Sequence, residues 1–371
     1  MKRRLAVFAT QLRSVSETFI QRHFRDIAPG ETVAVCRMRG LDSEPPCEAF
    51  LADRWALRLP VRLAVRAGAS RQRLLRATVA RFLRRQRVGY VLGEYLDQFV
   101  EFVPMLDAMG LPYVVQGHGL DLSSSIKGGA VGDSYAAYKS AKAVLTRCEF
   151  HRQRLISMGL RADNIHVNPG GVDIPAAPPR RSPAASKRFL AVGRMTPQKA
   201  PILLLEAFRL AAQADPELTL DYVGGGALFP AVRDFVGGCG LNGRVRLHGV
   251  APEAEKLRLL GECGVFVQHS MTDPETGDEE GLPAAIQEAM ANGLAVVSTR
   301  HSGIPEAVLE GETGLLCDEG DVRGMTAAFL AAPGRAAGLG AAGYRRAAAN
   351  YGWEHERARL RGWLFGEAAA A

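Results

Sequence analysis

The sequence predicts an α/β protein made of two doubly wound, parallel-sheet domains, and three observations predict it. Apolar runs of four to six residues alternate with helix-like stretches along the chain, as strands covered on both faces do. The alternation stops once, at the Pro-, Ala- and Arg-rich stretch NPGGVDIPAAPPRRSPAASK (168–187), and then starts afresh. A length of 371 residues also exceeds what one average core organises.

In order along the first half, the strand candidates are LAVFAT (5–10), TVAVC (32–36), YVLGEY (90–95), YVVQGHG (113–119) and AVLTRC (143–148). Helices are expected at SETFIQRHFRDI (16–27) and DQFVEFVPMLDAMG (97–110). Past the linker come RFLAVGR (188–194), LTLDYVGGG (218–226), RVRLHG (244–249), GVFVQHS (264–270), LAVVSTR (294–300) and GLLC (314–317). PILLLEAFRLAAQA (201–214) and LPAAIQEAMANG (282–293) read as helices between them, and EHERARLRGWLFGEA (354–368) as a closing helix. The expected organisation is a Rossmann-like domain over 1–175 and a second over 188–350, facing across a cleft. The closing helix, 353–371, is expected to pack back toward the first domain.

Composition narrows the class. Hydrophobic residues make up 47% and charged residues 23%, as in globular proteins. No uncharged apolar run approaches the ~18–20 residues of a membrane-spanning helix. The basic start MKRRLAVFATQLRS has a short apolar stretch and no small-residue cleavage pattern, so it reads as a first strand rather than a signal peptide. Six cysteines form no C-x-x-C pair, which fits a reducing cytoplasm and argues against a structural zinc site. Charge is lopsided: residues 1–180 carry 27 Lys+Arg against 16 Asp+Glu, and the remainder 19 against 23. Eleven arginines and no acid lie between Asp53 and Glu94, pointing to an anionic partner for the first half.

Ligands of open α/β sheets bind beyond the carboxyl ends of the strands, so the loops there carry the chemistry. Arg194 ends a strand, and Lys199 sits five residues later before a helix. Two cations at a helix N-terminus suit a diphosphate, although a strand-end arginine and a solvated lysine would look alike. Gly224-Gly225-Gly226 permits a close backbone approach or a sharp turn. It is not G-x-G-x-x-G, the nicotinamide fingerprint. The most informative segment is HSMTDPETGDEEGLPAAIQEAMANG (269–293). Pro283 stands where a helix would begin, Glu280 just before it and Glu288 inside it. Gly281 and Leu282 offer backbone N–H groups at the positive helix end, and carboxylates accept hydrogen bonds from sugar or ribose hydroxyls. A solvated acidic loop containing Asp278, Glu279 and Glu280 is the competing reading.

Two glutamates seven residues apart, with G-L-P after the first and E-A-M-A-N-G around the second, resemble the signature of family 4 retaining glycosyltransferases. V-G-R-M-T-P-Q-K, V-G-G-G, G-I-P-E-A-V (303–308) and G-E-T-G-L-L (311–316) extend the likeness over roughly 188–320. G-D-E-E-G-L-P and the early S-E-T-F-I (16–20) resemble the subgroup that builds bacterial exopolysaccharides. The resemblance implies the GT-B fold and a nucleotide diphosphate sugar as donor. It places Arg194 and Lys199 on the diphosphate, Glu288 on the ribose and Glu280 on the transferred sugar. Gly224, Gly225 and the backbone of Gly281, Leu282 and Pro283 complete the donor site. His118, in Q-G-H-G-L-D, matches the first-domain histidine that faces the reacting sugar. This chain departs from the family at Ala200, where glycine is usual, and at Gly225, where aspartate is usual. Its first strand leads into Q-L-R-S-V-S-E-T rather than a G-G loop, which makes Ser16, Glu17 and Thr18 acceptor-side candidates beside His118.

The expected activity is therefore transfer, with retention, to a glycan or lipid-diphosphate-linked sugar in surface polysaccharide synthesis. No cofactor and no metal are expected, because fixed cations take the place of magnesium. The alternatives are a GT-B nucleotide-sugar epimerase and a non-catalytic nucleotide-sugar-binding protein. Nucleic acid is not an expected partner, since basic arms stand alone without a binding motif. Arg54, Arg58, Arg62 and Arg66 recur every four residues, along one face of a helix that Pro60 interrupts. With the arginines up to 87 they suggest a cytoplasmic protein in peripheral contact with an anionic membrane surface.

Overall fold

The computed structural model describes residues 3–13, 18–40, 47–127 and 132–367. It divides into two compact units. The first comprises 1–147, 151–168 and 356–371, and the second 148–150 and 169–355. This division falls between Asn168 and Pro169, at the very start of the Pro-rich stretch. Val172 explains why: its N–H donates to the Tyr351 carbonyl, and its own carbonyl accepts from Trp353 N–H, which ties the stretch into the second unit.

Unit 1 is a seven-stranded parallel sheet in the order β3-β2-β1-β4-β5-β6-β7. The strands are β1 (Arg4–Arg13), β2 (Thr32–Gly40), β3 (Glu48–Leu51), β4 (Val88–Glu94), β5 (Tyr113–Gln116), β6 (Ala143–Thr146) and β7 (Ile165–Val167). The chain winds outward from β1 to β3 and returns to place β4 beside β1, with Phe8 opposite Gly93. The crevice of a doubly wound sheet lies at such a reversal. One face buries Phe8, Val33, Val91 and Val115 against Val79, Leu83, Val103 and Leu106 of the covering helices. From Glu356 on, the closing helix Trp353–Phe365 belongs to the same unit, through Arg361, which donates to the Ile27 carbonyl, and Phe365, edge-on to Tyr90.

One first-half helix departs from the sequence reading, and another breaks where a proline was expected to interrupt it. The single helix expected over 97–110 is three pieces, Leu96–Phe99, a 3-10 turn Val100–Phe102, and Val103–Met109. Pro104 lacks an N–H and starts a new helix rather than continuing one. Pro60 does the same, so the arginine-bearing segment is two helices, Ala52–Ala56 and Leu59–Arg66. β3 and β7 were not anticipated; they are the short edge strands.

Unit 2 is a six-stranded sheet, all strands parallel, in the order β10-β9-β8-β11-β12-β13. The strands are β8 (Arg188–Val192), β9 (Thr219–Val223), β10 (Val245–Gly249), β11 (Val265–Val267), β12 (Ala295–Thr299) and β13 (Gly314–Cys317). Its reversal lies between β8 and β11. Alternate residues of β8 serve opposite faces, Phe189 and Ala191 in one core and Leu190 in the other. A 29-residue helix, Val322–Asn350, covers the first of these with Met325, Phe329, Ala332 and Leu339. Among the described residues no helix is long and apolar enough to cross a membrane.

Candidate active site

The loops that follow β8 and β11 flank the reversal of unit 2, and they hold the residues singled out from the sequence. After β8, Pro197–Lys199 makes a 3-10 turn, and Ala200 takes a left-handed conformation (φ +37°) before the helix Pro201–Ala214. Here the departure from glycine has a visible consequence: a Cβ sits where the left-handed region favours none. The turn holds Lys199 so that its Nζ lies 3.0 Å from Glu280 Oε1, with the side chains 11% and 19% exposed. Burial would raise the Glu280 acid, but Lys199 and then Arg194 outweigh it and hold it below the usual range. Glu280 is therefore an anion at neutral pH, not a solvated member of an acidic loop. Arg194 itself is exposed.

The loop carrying Glu280 is knit from within. Asp273 accepts from Glu275 N–H and from the Thr276 hydroxyl, and Gln198 donates to Asp278 across the loops. Glu280 N–H donates to His301 Nε2 (3.2 Å), while His301 Nδ1 lies 2.6 Å from Glu319 Oε1. An accepting Nε2 assigns the His301 proton to Nδ1. Gly281 accepts from Gly303 N–H. Leu282 and Pro283 are buried, and Pro283 is the N-cap of the helix Ala284–Ala291. Inside that helix Glu288 is gripped by Lys256, whose Nζ lies 3.0 and 3.1 Å from its two oxygens.

The triple glycine does something more specific than turn. A Cβ at Gly224 (φ +143°) would stand 1.9 Å from the Gly193 carbonyl oxygen. Met195 N–H donates to the Gly225 carbonyl at 2.7 Å. The close approach these glycines allow is to the backbone on either side of Arg194, which they brace.

Unit 1 presents His118 just past β5. Its backbone N–H and that of Gly119 donate to Asp121 Oδ1, and Leu96 N–H donates to Oδ2. The buried Asp121 thus pins the Q-G-H-G-L-D turn. The imidazole packs against Phe19 (4.8 Å) and Tyr95 (4.7 Å), and its Nε2 lies 2.7 Å from Glu94 Oε2. Ser16 and Glu17 lie outside the described residues, and Thr18 opens the helix Thr18–Asp26.

Residues the sequence reading missed are Lys256, His301, Glu319 and Glu94. His301 and Glu94 stand at strand carboxyl ends, so the rule that ligands gather there could have marked them. Lys256 lies on the helix Glu253–Glu262, in no motif. Among the described residues no three His, Cys, Asp or Glu side chains cluster as metal ligands would.

Residues 177–332 match the family model described as "Glycosyl transferases group 1". The chain is 34% identical over 181 residues to the amylovoran biosynthesis glycosyltransferase AmsK of Erwinia amylovora, covering 48% of this chain and 44% of that protein. To the putative colanic acid biosynthesis glycosyltransferase WcaL of Escherichia coli it is 31% identical, covering 56% and 52%. The chain thus spans about half the length of the curated relatives it matches. Among solved structures, Anabaena Alr3699/HepE in complex with UDP and glucose superposes with a TM-score of 0.74 at 16% identity, covering 97% and 98%. The outer core galactosyltransferase WaaB gives 0.71 at 16%, covering 98% and 99%. Both show the fold, two Rossmann-like sheets of the GT-B type. Residues 177–332 are thus similar to the group 1 glycosyl transferases, and the relatives matched are named for amylovoran and colanic acid biosynthesis.

Proposed function

We propose that the chain transfers a sugar from a nucleoside diphosphate donor to a glycan or lipid-diphosphate-linked sugar in surface polysaccharide synthesis. The anomeric configuration is retained and no divalent ion is needed. One observation carries this reading: the ionised Glu280 paired with Lys199 at 3.0 Å, between the loops at the reversal of unit 2. Lys199 and Arg194 match a diphosphate, and a bound diphosphate would take Lys199 from Glu280 and free that carboxylate for sugar hydroxyls. Glu288, on the neighbouring helix, is the ribose ligand. Fixed cations stabilise the departing diphosphate, which takes the acceptor proton on the same face. The HepE complex contains UDP and glucose, and AmsK and WcaL are named for exopolysaccharides, which supports donor class and pathway alike. The arginine-rich face of unit 1 is the contact with an anionic membrane surface.

The test is a thermal-unfolding titration with UDP-, GDP- and ADP-sugars, because a ligand of the folded state raises the midpoint. One of the three should do so with chelator present. Transfer from that donor should then survive chelator, and the new linkage should keep the donor's anomeric configuration by NMR. No response to any donor, an absolute need for a divalent ion, or an inverted product would each overturn the corresponding part.

A further inference from the structure

Unit 1 buries a chain of ionisable groups for which the proposed chemistry has no use. Glu94, His23 and Glu356 have fully buried side chains. Glu94 Oε2 lies 2.7 Å from His118 Nε2, and Glu94 Oε1 lies 2.6 Å from His23 Nδ1. His23 Nε2 then faces Glu356 Oε1 at 3.6 Å, and Arg147 reaches the same oxygen at 3.2 Å. These groups converge from the end of β4, the helix Thr18–Asp26, the segment after β6, and the closing helix. The closing helix also brings Arg359, which donates to Asn168, itself bonded to Gln116.

The charges along this chain follow from the pairing. Burial alone would neutralise His23, yet Glu94 and Glu356 hold its pKa up at about 9. Burial likewise opposes the Glu94 anion, but His23 and His118 hold its acid down at about 2. An ionised carboxylate only accepts. Both imidazole nitrogens facing Glu94 must therefore carry hydrogen, and the Nε2–H tautomer of His118 has its lone pair on Nδ1. Among the described residues Nδ1 has no hydrogen bond. Phe19 and Tyr95 hold the ring from its sides, and Tyr95 keeps a left-handed backbone (φ +66°), a strained conformation of the kind found where a site must be shaped.

We propose that Glu94 is a positioning residue that fixes His118 in the Nε2–H tautomer, so that Nδ1 acts as a hydrogen-bond acceptor for a sugar hydroxyl. His23, backed by Glu356 and Arg147, is the counter-charge that keeps Glu94 ionised. A carboxylate behind an imidazole sets tautomer and orientation in this way in other enzymes. The proposal rests on reading His118 as a site residue, and the experiment separates the two.

The first measurement needs no variant of Glu94. In ¹⁵N-histidine-labelled protein, with His118→Gln supplying the assignment, His118 should show a protonated Nε2 and an unprotonated Nδ1. The opposite tautomer overturns the proposal. The second uses transfer from whichever of UDP-, GDP- or ADP-glucose the titration selects, onto a bacterial membrane extract. Glu94→Gln should lower kcat by roughly 10- to 100-fold with donor KM little changed. Combining it with His118→Ala should be no worse than His118→Ala alone, a non-additivity that general destabilisation would not produce. Full activity in His118→Ala would sink the reading of His118 as a site residue. An impaired His118→Ala beside a fully active Glu94→Gln would sink only the role given to Glu94.

Discussion

Glu280 is held on two sides, by Lys199 through its carboxylate and by His301 through its backbone N–H. The two contacts do different work, one setting charge and the other setting the loop. Glu280→Gln keeps the shape and removes the charge, so transfer should fall roughly 10- to 1000-fold, about 1.4–4 kcal/mol. Affinity for the free nucleoside diphosphate, measured by calorimetry, should hardly change, because Arg194, Lys199 and Glu288 remain. Near-normal turnover would remove Glu280 from the site. Gly224 makes the complementary point about support. Its missing Cβ is required by the Gly193 carbonyl, so what it does is shape the Arg194 backbone.

At the scale of one element, the helix Leu59–Arg66 is unusual in burying none of its residues. Leu59 and Leu63 are 65% and 54% exposed, and Leu57 just ahead is 74% exposed. Trp55, on the preceding short helix, is the residue that anchors the segment to unit 1. Arg58, Arg62 and Arg66 lie exposed beside the leucines, and Arg71, Arg73, Arg81, Arg84 and Arg85 continue the charge along the helix Arg71–Arg85. Exposed leucines interleaved with cations fit the headgroup region of an anionic leaflet, where charge attracts and apolar side chains insert. The protein should co-sediment with phosphatidylglycerol vesicles at low salt, weakly at high salt, and not with neutral vesicles. Replacing Arg58, Arg62 and Arg66 by Gln should weaken binding most at low salt. Leu59→Ser with Leu63→Ser should weaken it at both salts. Indifference of the wild type to anionic vesicles would remove the membrane contact from the account.

For the whole molecule, the buried cluster of unit 1 links stability to pH with a definite sign. His23 is raised from 6.5 to about 9 in the folded state. The stability it contributes is complete below pH 6.5 and is lost as pH rises through 9. Glu94 is lowered from 4.5 to about 2, so its contribution is present above pH 4.5 and is lost as pH falls toward 2. Between pH 4.5 and 6.5 both contributions are complete. Thermal unfolding from pH 6 to 9.5 should therefore show a falling midpoint in the wild type. His23→Gln should begin lower and lose less over the same range. Parallel curves for the two proteins would mean that His23 is not charged in the fold.

Both sheets were legible in the sequence, because burial on both faces leaves a local mark: apolar runs at strand length separated by helices. The sequence also singled out the stretch from Glu280 to Glu288, where Pro283 stands at the start of a helix as expected. Where it failed locally, at 97–110, a proline inside an otherwise helical pattern was the reason. What each charged residue meets is set by the fold. Glu94 and His23 are 71 positions apart, and Arg147 and Glu356 are 209 apart. Lys256 reaches Glu288 across 32 positions from another helix. No local period records such pairs, because parallel crossovers and the returning closing helix bring them together. A buried charge is tolerable only where that long-range partner arrives.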